Sequence, residues 1–122
     1  DKKMATQFIN YQKASIGTST HHMIDGTTKS TNPTGVASLD SGKAQIVIGC
    51  MLSNRLTTSV DVTVAVRNAA TVTYLCKALA IPAGDAIEVV QGKIVMEAGD
   101  EIEVSASAAS AVDCVLSVLK NA

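Results

Sequence analysis

The side chains able to do chemistry are few in this chain of 122 residues. Its two histidines are adjacent, His21 and His22, in a polar stretch where Asp25 is the only nearby carboxylate. On an extended chain neighbouring side chains point to opposite faces, and zinc needs three or four converging ligands. The doublet therefore reads as a solvated or interface pair, with no metal site expected. Glu101 and Glu103 share a parity, which could set two carboxylates on one face for acid–base work. They also alternate with Ile102 and Val104, as Glu88 does with Ile87 and Val89, and that is the pattern of a solvated strand face. Asp85 and Asp100 each follow a glycine in equivalent turns. Calcium takes six to eight oxygens, so two separate aspartates fit turn stabilisation better.

Cys50, Cys76 and Cys114 cannot all pair within one chain, and their spacing matches no zinc ribbon, redox or haem motif. Each sits in an apolar, strand-like run, where a free cysteine behaves as a small hydrophobe. Free, mostly buried thiols and folding in a reducing cytoplasm are expected. No nucleophile elbow, HExxH, Walker or dinucleotide-binding pattern occurs. The expectation is a protein that is not an enzyme, with no catalytic residue, no cofactor and no metal. Ten basic against eleven acidic residues give a net charge of −1, and the aromatics are Phe8, Tyr11 and Tyr74, with no Trp. This argues against a nucleic-acid binder or a polybasic membrane contact. No apolar run approaches the roughly 18 residues of a membrane helix.

The elements that would carry these residues divide unevenly. Apolar residues make up 12 of the first 43 positions but 45 of the remaining 79. Residues 15–43 are rich in Ser, Thr and Gly, too polar to offset their own ordering entropy. Residues 1–43 are therefore expected as an extended polar arm carrying a charge of +2, anchored by the cluster Phe8-Ile9-Asn10-Tyr11. Residues 44–122, with a charge of −3, are expected as the folded domain. There the period is two: Val60, Val62, Val64 and Val66; Ile87 and Val89; Ile102, Val104 and Ala106; Val112, Cys114, Leu116 and Val118. Ile46–Leu52 and Val72–Ile81 are apolar on both parities, which predicts strands covered on both faces, by the second sheet inside and by an arm or neighbouring subunit outside, and Gly49 predicts a bulge or close approach. Gln91-Gly92 predicts a tight hairpin. The unit Ile81-Pro82-Ala83-Gly84-Asp85-Ala86-Ile87-Glu88-Val89 recurs as Met96-Glu97-Ala98-Gly99-Asp100-Glu101-Ile102-Glu103-Val104, one turn-to-strand solution used twice. Residues 106–111, all Ala or Ser, predict a turn. The fold expected is all-β: an antiparallel β-sandwich, jelly-roll-like, with the N-terminal arm extended. So thin a core, almost without aromatics, points towards oligomerisation.

The segments Leu79–Asp85, Gly92–Val104, Ala106-Ser107 and Val112–Leu119 resemble small β-sandwich structural proteins in the virions of tailed bacteriophages, with the run 46–54 fitting the same pattern. The resemblance spans about residues 44–120 and leaves out the arm. It implies a virion structural protein with no catalytic residues, made in the host cytoplasm; the long polar arm, suited to a clip lying across neighbouring capsid subunits, favours a capsid decoration (cement) protein that binds the major capsid protein on the capsid exterior and stabilises the shell through its N-terminal arm and oligomer contacts. A tail- or neck-associated virion protein is the alternative. A homotrimer is implied because decoration often occupies threefold positions. A carbohydrate-binding sandwich comes third, weakened by the scarcity of Trp and Tyr for stacking on sugars. The interface candidates in the arm are Phe8, Ile9, Tyr11, His21 and His22. In the β domain they are Ile46, Ile48, Met51 and Tyr74.

Overall fold

The long alternations with a period of two, Val60–Val66, Ile102–Ala106 and Val112–Val118, become strands. A computed structural model describes residues 7–25, 37–38, 45–68, 70–97 and 100–120. Ten strands run through them: β1 (Gln7–Ile16), β2 (His21–Asp25), β3 (Ala37–Ser38), β4 (Gln45–Asn54), β5 (Val60–Asn68), β6 (Thr71–Ile81), β7 (Ala86–Glu88), β8 (Ile94–Met96), β9 (Asp100–Ala106) and β10 (Val112–Lys120). They form two sheets. Sheet I has the order β1-β10-β4-β7, with β8 also paired to β4; sheet II has the order β3-β2-β9-β5-β6. Every pairing is antiparallel except β2 with β3. The sheets pack face to face as a β-sandwich, with Val47, Leu52, Leu116 and Val118 of sheet I meeting Met23, Val62, Val64, Ile102 and Val104 of sheet II in one buried cluster.

The arm expected over residues 1–43 is corrected for residues 7–25. Gln7 to Lys13 pair with Lys120 to Cys114, and β2 pairs with β9. Ile16, Met23 and Ile24 are fully buried in the core cluster. The polar average over 43 residues concealed a local alternation in which Ile9, Tyr11 and Ile16 serve one face. The remainder of the arm (residues 1–6, 26–36 and 39–43) lies outside the described residues.

Two further expectations meet the structure differently. Gln91-Gly92 does not close a hairpin: β7 and β8 both pair with β4, forming one interrupted edge strand. Glu88 caps the interruption, its Oε2 accepting from the backbone N–H groups of Cys50 and Val90. The run Val72–Ile81 is an edge strand that, within one chain, is largely exposed among the described residues. Its ladder with β5 shifts register where Ala78 takes φ 52 and donates its N–H to Thr63 Oγ1, a bulge that breaks up a long edge. Glu103 is buried, although it belongs to the parity expected to be solvated.

Other expectations hold. An added Cβ on Gly49 would meet Glu88 Oε1 at 3.3 Å, and the neighbouring Ile48 is the extra residue of a bulge against β10. Residues 107–110 form the turn into β10. Asp85 and Asp100 bond within their own turns: Asp85 Oδ1 accepts from Ala86 N–H, and Asp100 Oδ2 from Glu97 N–H. The repeated unit is used in different sheets, its first copy entering β7 of sheet I and its second entering β9 of sheet II.

Candidate functional site

Outward side chains distinguish the two sheets. On sheet I the residues between the buried positions of β10 are Asp113, Val115, Ser117 and Leu119. Across the strands, Phe8 is opposite Leu119, Leu119 opposite Ile46, and Ile46 opposite Val95. One apolar row therefore crosses β1, β10, β4 and β8, ending on the most exposed large hydrophobics among the described residues, Phe8 (76%) and Val95 (57%). A shorter row lies two residues along, where Val115 is opposite Met51, and the bulge turns Ile48 outward between the two. Exposed hydrophobic side chains are ordinary singly; joined across four strands, they mark an interaction surface.

Four of the interface candidates, Phe8, Ile46, Ile48 and Met51, are thereby brought onto one face. Others are not. Ile9 and Tyr11 pair with the buried Val118 and Leu116 and pack half-buried against the core, so they lie on the inner side of sheet I and not on its apolar outer face. Both belong to the inward parity of β1, which a cluster of four consecutive residues did not reveal. His21 is buried opposite Val104, and its Nε2 has no hydrogen-bond partner among the described residues. Burial, then the charges of Lys13 and His22, lower its pKa from the ordinary histidine value. Val95, Val115 and Leu119 complete the apolar face and were missed. Their parity was legible, but the strand pairing that aligns them was not.

Sheet II presents a polar outer surface. His22 is directly opposite Glu103, and Arg67 directly opposite Glu101. His22 Nε2 lies 3.0 Å from Glu103 Oε2 and 3.6 Å from Glu101 Oε1. Arg67 Nε donates to Glu103 Oε2 at 2.6 Å, and that hydrogen bond, with the carboxylate charge, raises the Arg67 pKa further. Tyr74 stands opposite Ala65 with Lys77 Nζ 4.9 Å from its ring centroid, beside a shallow groove that Arg67, Glu103 and Ser105 also line. The sequence placed Glu101 and Glu103 together correctly but held His22 apart from them, because 81 residues separate His22 from Glu103.

The cysteines are free. Cys50 and Cys114 are buried with their sulfurs 3.9 Å apart, and Cys76 is half-buried. The contact with Cys114, then burial, pushes the Cys50 thiol far up, and burial raises that of Cys76. Cys50 and Cys76 are therefore poor nucleophiles at neutral pH.

In comparisons with protein-family models, curated proteins and solved structures, nothing matches this chain. The functional reading therefore rests on the two faces themselves and on the virion resemblance of residues 44–120.

Proposed function

We propose that this protein is a virion structural protein of a tailed bacteriophage, a capsid decoration (cement) subunit. It self-associates as a homotrimer through the outer face of sheet I and rests on the major capsid protein at the capsid exterior. The observation that carries the self-association is the row Phe8–Leu119–Ile46–Val95. Burying such a row against a second copy stabilises by about 25 cal/mol per Å² of apolar surface removed from water. Edge strands β1 and β8 place that row across the whole width of the sheet, so a neighbour seated there meets a continuous surface.

The virion setting is supported by the resemblance, whose motif residues form the turns and strands from β7 to β10. Residues 7–25 serve the fold and are not a fastening arm, so shell contact belongs to the assembled oligomer. Weak contacts repeated by its symmetry raise avidity by about 10²–10⁴ without any new contact type.

The test is co-sedimentation with capsids that lack the protein. The wild-type chain is expected to bind, and a Phe8→Glu/Val95→Glu double variant to bind at least tenfold more weakly as avidity is lost. Failure of the wild-type chain to bind shells overturns the proposal, and binding to tails instead supports the tail-associated alternative.

A further inference from the structure

The outer surface of sheet II carries a gap between two unlike walls. One row of opposed residues crosses it from β9 through β5 to β6: Glu103 is opposite Ala65, and Ala65 is opposite Tyr74. Neighbouring strands stand about 4.8 Å apart, so the carboxylate wall and the aromatic wall are separated by two such spacings with only a methyl group between them. Ala65 shares the outward parity of Thr63 and Arg67, yet it is only 3% exposed, as the floor between larger neighbours. The result is a groove of about 190 Å³, lined also by the hydroxyls of Thr20, Thr63 and Ser105.

The chemistry of the groove selects its ligand. Tyr74, 49% exposed, offers a flat apolar face with a polar tip. Lys77 Nζ stands 4.9 Å from that ring without lining the groove, so it braces the ring from outside, and an ammonium ligand would meet a like charge there. Arg67 Nε donates to Glu103 Oε2 at 2.6 Å, which leaves no unmatched guanidinium to draw a phosphate or a carboxylate. An ion pair joined through Nε and Oε2 still keeps a carboxylate oxygen as acceptor and the terminal guanidinium nitrogens as donors. Thr63 Oγ1 accepts from Ala78 N–H, so its own hydrogen is available, and the Ser105 hydroxyl both donates and accepts. The ligand that fits is uncharged, with an apolar face and several adjacent hydroxyls.

We infer that this groove binds one neutral pyranose ring. The C–H face of the sugar stacks on Tyr74, and its hydroxyls bond to Glu103 and Arg67 on the opposite wall and to Ser105 and Thr63 alongside. Neighbouring hydroxyls of a ring suit a carboxylate and a guanidinium held side by side, because both present their hydrogen-bonding atoms in pairs. The scarcity of aromatics that weakens a multi-ring carbohydrate module still leaves a platform for one ring. Both walls stand on paired strands, so no loop has to order on binding. A shallow site for a single ring binds weakly, in about the millimolar range. The groove is on the opposite sheet from Phe8 and Val95, so it is open whether or not the outer face of sheet I is covered, and it does not depend on the capsid reading.

The experiment titrates the full chain with the methyl pyranosides of glucose, galactose, mannose and N-acetylglucosamine, read by amide proton–nitrogen shifts. At least one glycoside should shift the amides of Ala65, Tyr74 and Ser105 saturably, and inorganic phosphate should leave them unmoved. Tyr74→Ala should weaken binding by roughly tenfold, whereas Tyr74→Phe, which keeps the ring, should cost less than about threefold. Ala65→Val fills the floor with a residue that strands favour and should abolish binding with the fold intact, as circular dichroism would show. The Phe8→Glu/Val95→Glu variant should bind as the wild type does. A second arm uses linear oligosaccharides of the sugar that binds: tighter binding than the glycoside identifies the ligand as one ring of a glycan chain, and weaker binding identifies it as a free sugar. Absence of a saturable shift with every glycoside overturns the inference. So does binding that survives both Tyr74→Ala and Ala65→Val, or an equal response to phosphate.

Discussion

Phe8 on β1 and Leu119 on β10 are directly opposed across the strand pair at one end of sheet I, and Phe8 is the most exposed large apolar side chain described. Across the same ladder, one residue along, Ile9 faces the fully buried Val118. Adjacent residues of one strand thus face opposite ways, the first exposed on the outer face and the second half-buried against the core.

The first prediction concerns self-association. Light scattering at micromolar concentration should give the wild-type chain the mass of three copies, and the Phe8→Glu/Val95→Glu variant that of one. Both positions are exposed, so the variant's own folding free energy should move by no more than about 0.5 kcal/mol per site. A monomeric wild-type chain would count against the interface.

Asn54 tests the corner that joins the sheets. It is 4% exposed, and its Nδ2 donates to the carbonyls of Thr58, Ile81 and Pro82 while its Oδ1 accepts from Leu56 N–H. Asn54→Ala should cost about 2–4 kcal/mol, since it strands several buried backbone groups at once. Urea unfolding with an unchanged m-value would show this; a loss under 1 kcal/mol would mean water replaces the side chain.

The fold was legible where alternation was strict. Val60–Val66, Ile102–Ala106 and Val112–Val118 became β5, β9 and β10, and Asp85 and Asp100 bond within their turns as their positions after glycine implied. What the chain did not disclose was pairing. Ile16, Met23 and Ile24 lie among polar neighbours that hide their burial, and β7 and β8 read as a hairpin until both are seen to pair with β4. The same limit hid the His22–Glu103 contact and the row from Phe8 to Val95, because both are made across strands distant in sequence.

Thiol reactivity follows from burial. Cys76 is half-buried near the edge of sheet II, whereas Cys50 and Cys114 face each other in the core. Titration of the native protein should label Cys76 first, leaving Cys50 and Cys114 unreactive until denaturant is added. Equal, rapid labelling of all three would contradict the packing of β4 against β10.

His21 should make the fold acid-sensitive. Burial, with Lys13 and His22 nearby, holds its folded-state pKa below the ordinary value of 6.5, so the unfolded chain takes up the proton first. The contribution is fully present above pH 6.5 and is lost as pH falls from there through the folded pKa. Between about pH 7.5 and about pH 5.5 the wild-type chain should lose more stability than His21→Leu, measured by denaturant midpoints at each pH. Parallel losses in both proteins would remove His21 as the cause.

The central claim is that this sandwich decorates a capsid with the outer face of sheet I turned towards a second copy. Electron microscopy of intact virions tests it most directly. The account predicts density over the shell in threefold clusters, with Phe8 and Val95 of each copy buried against a neighbour. Density confined to the tail or neck, or copies on the shell whose sheet I faces stand open to solvent, would contradict it.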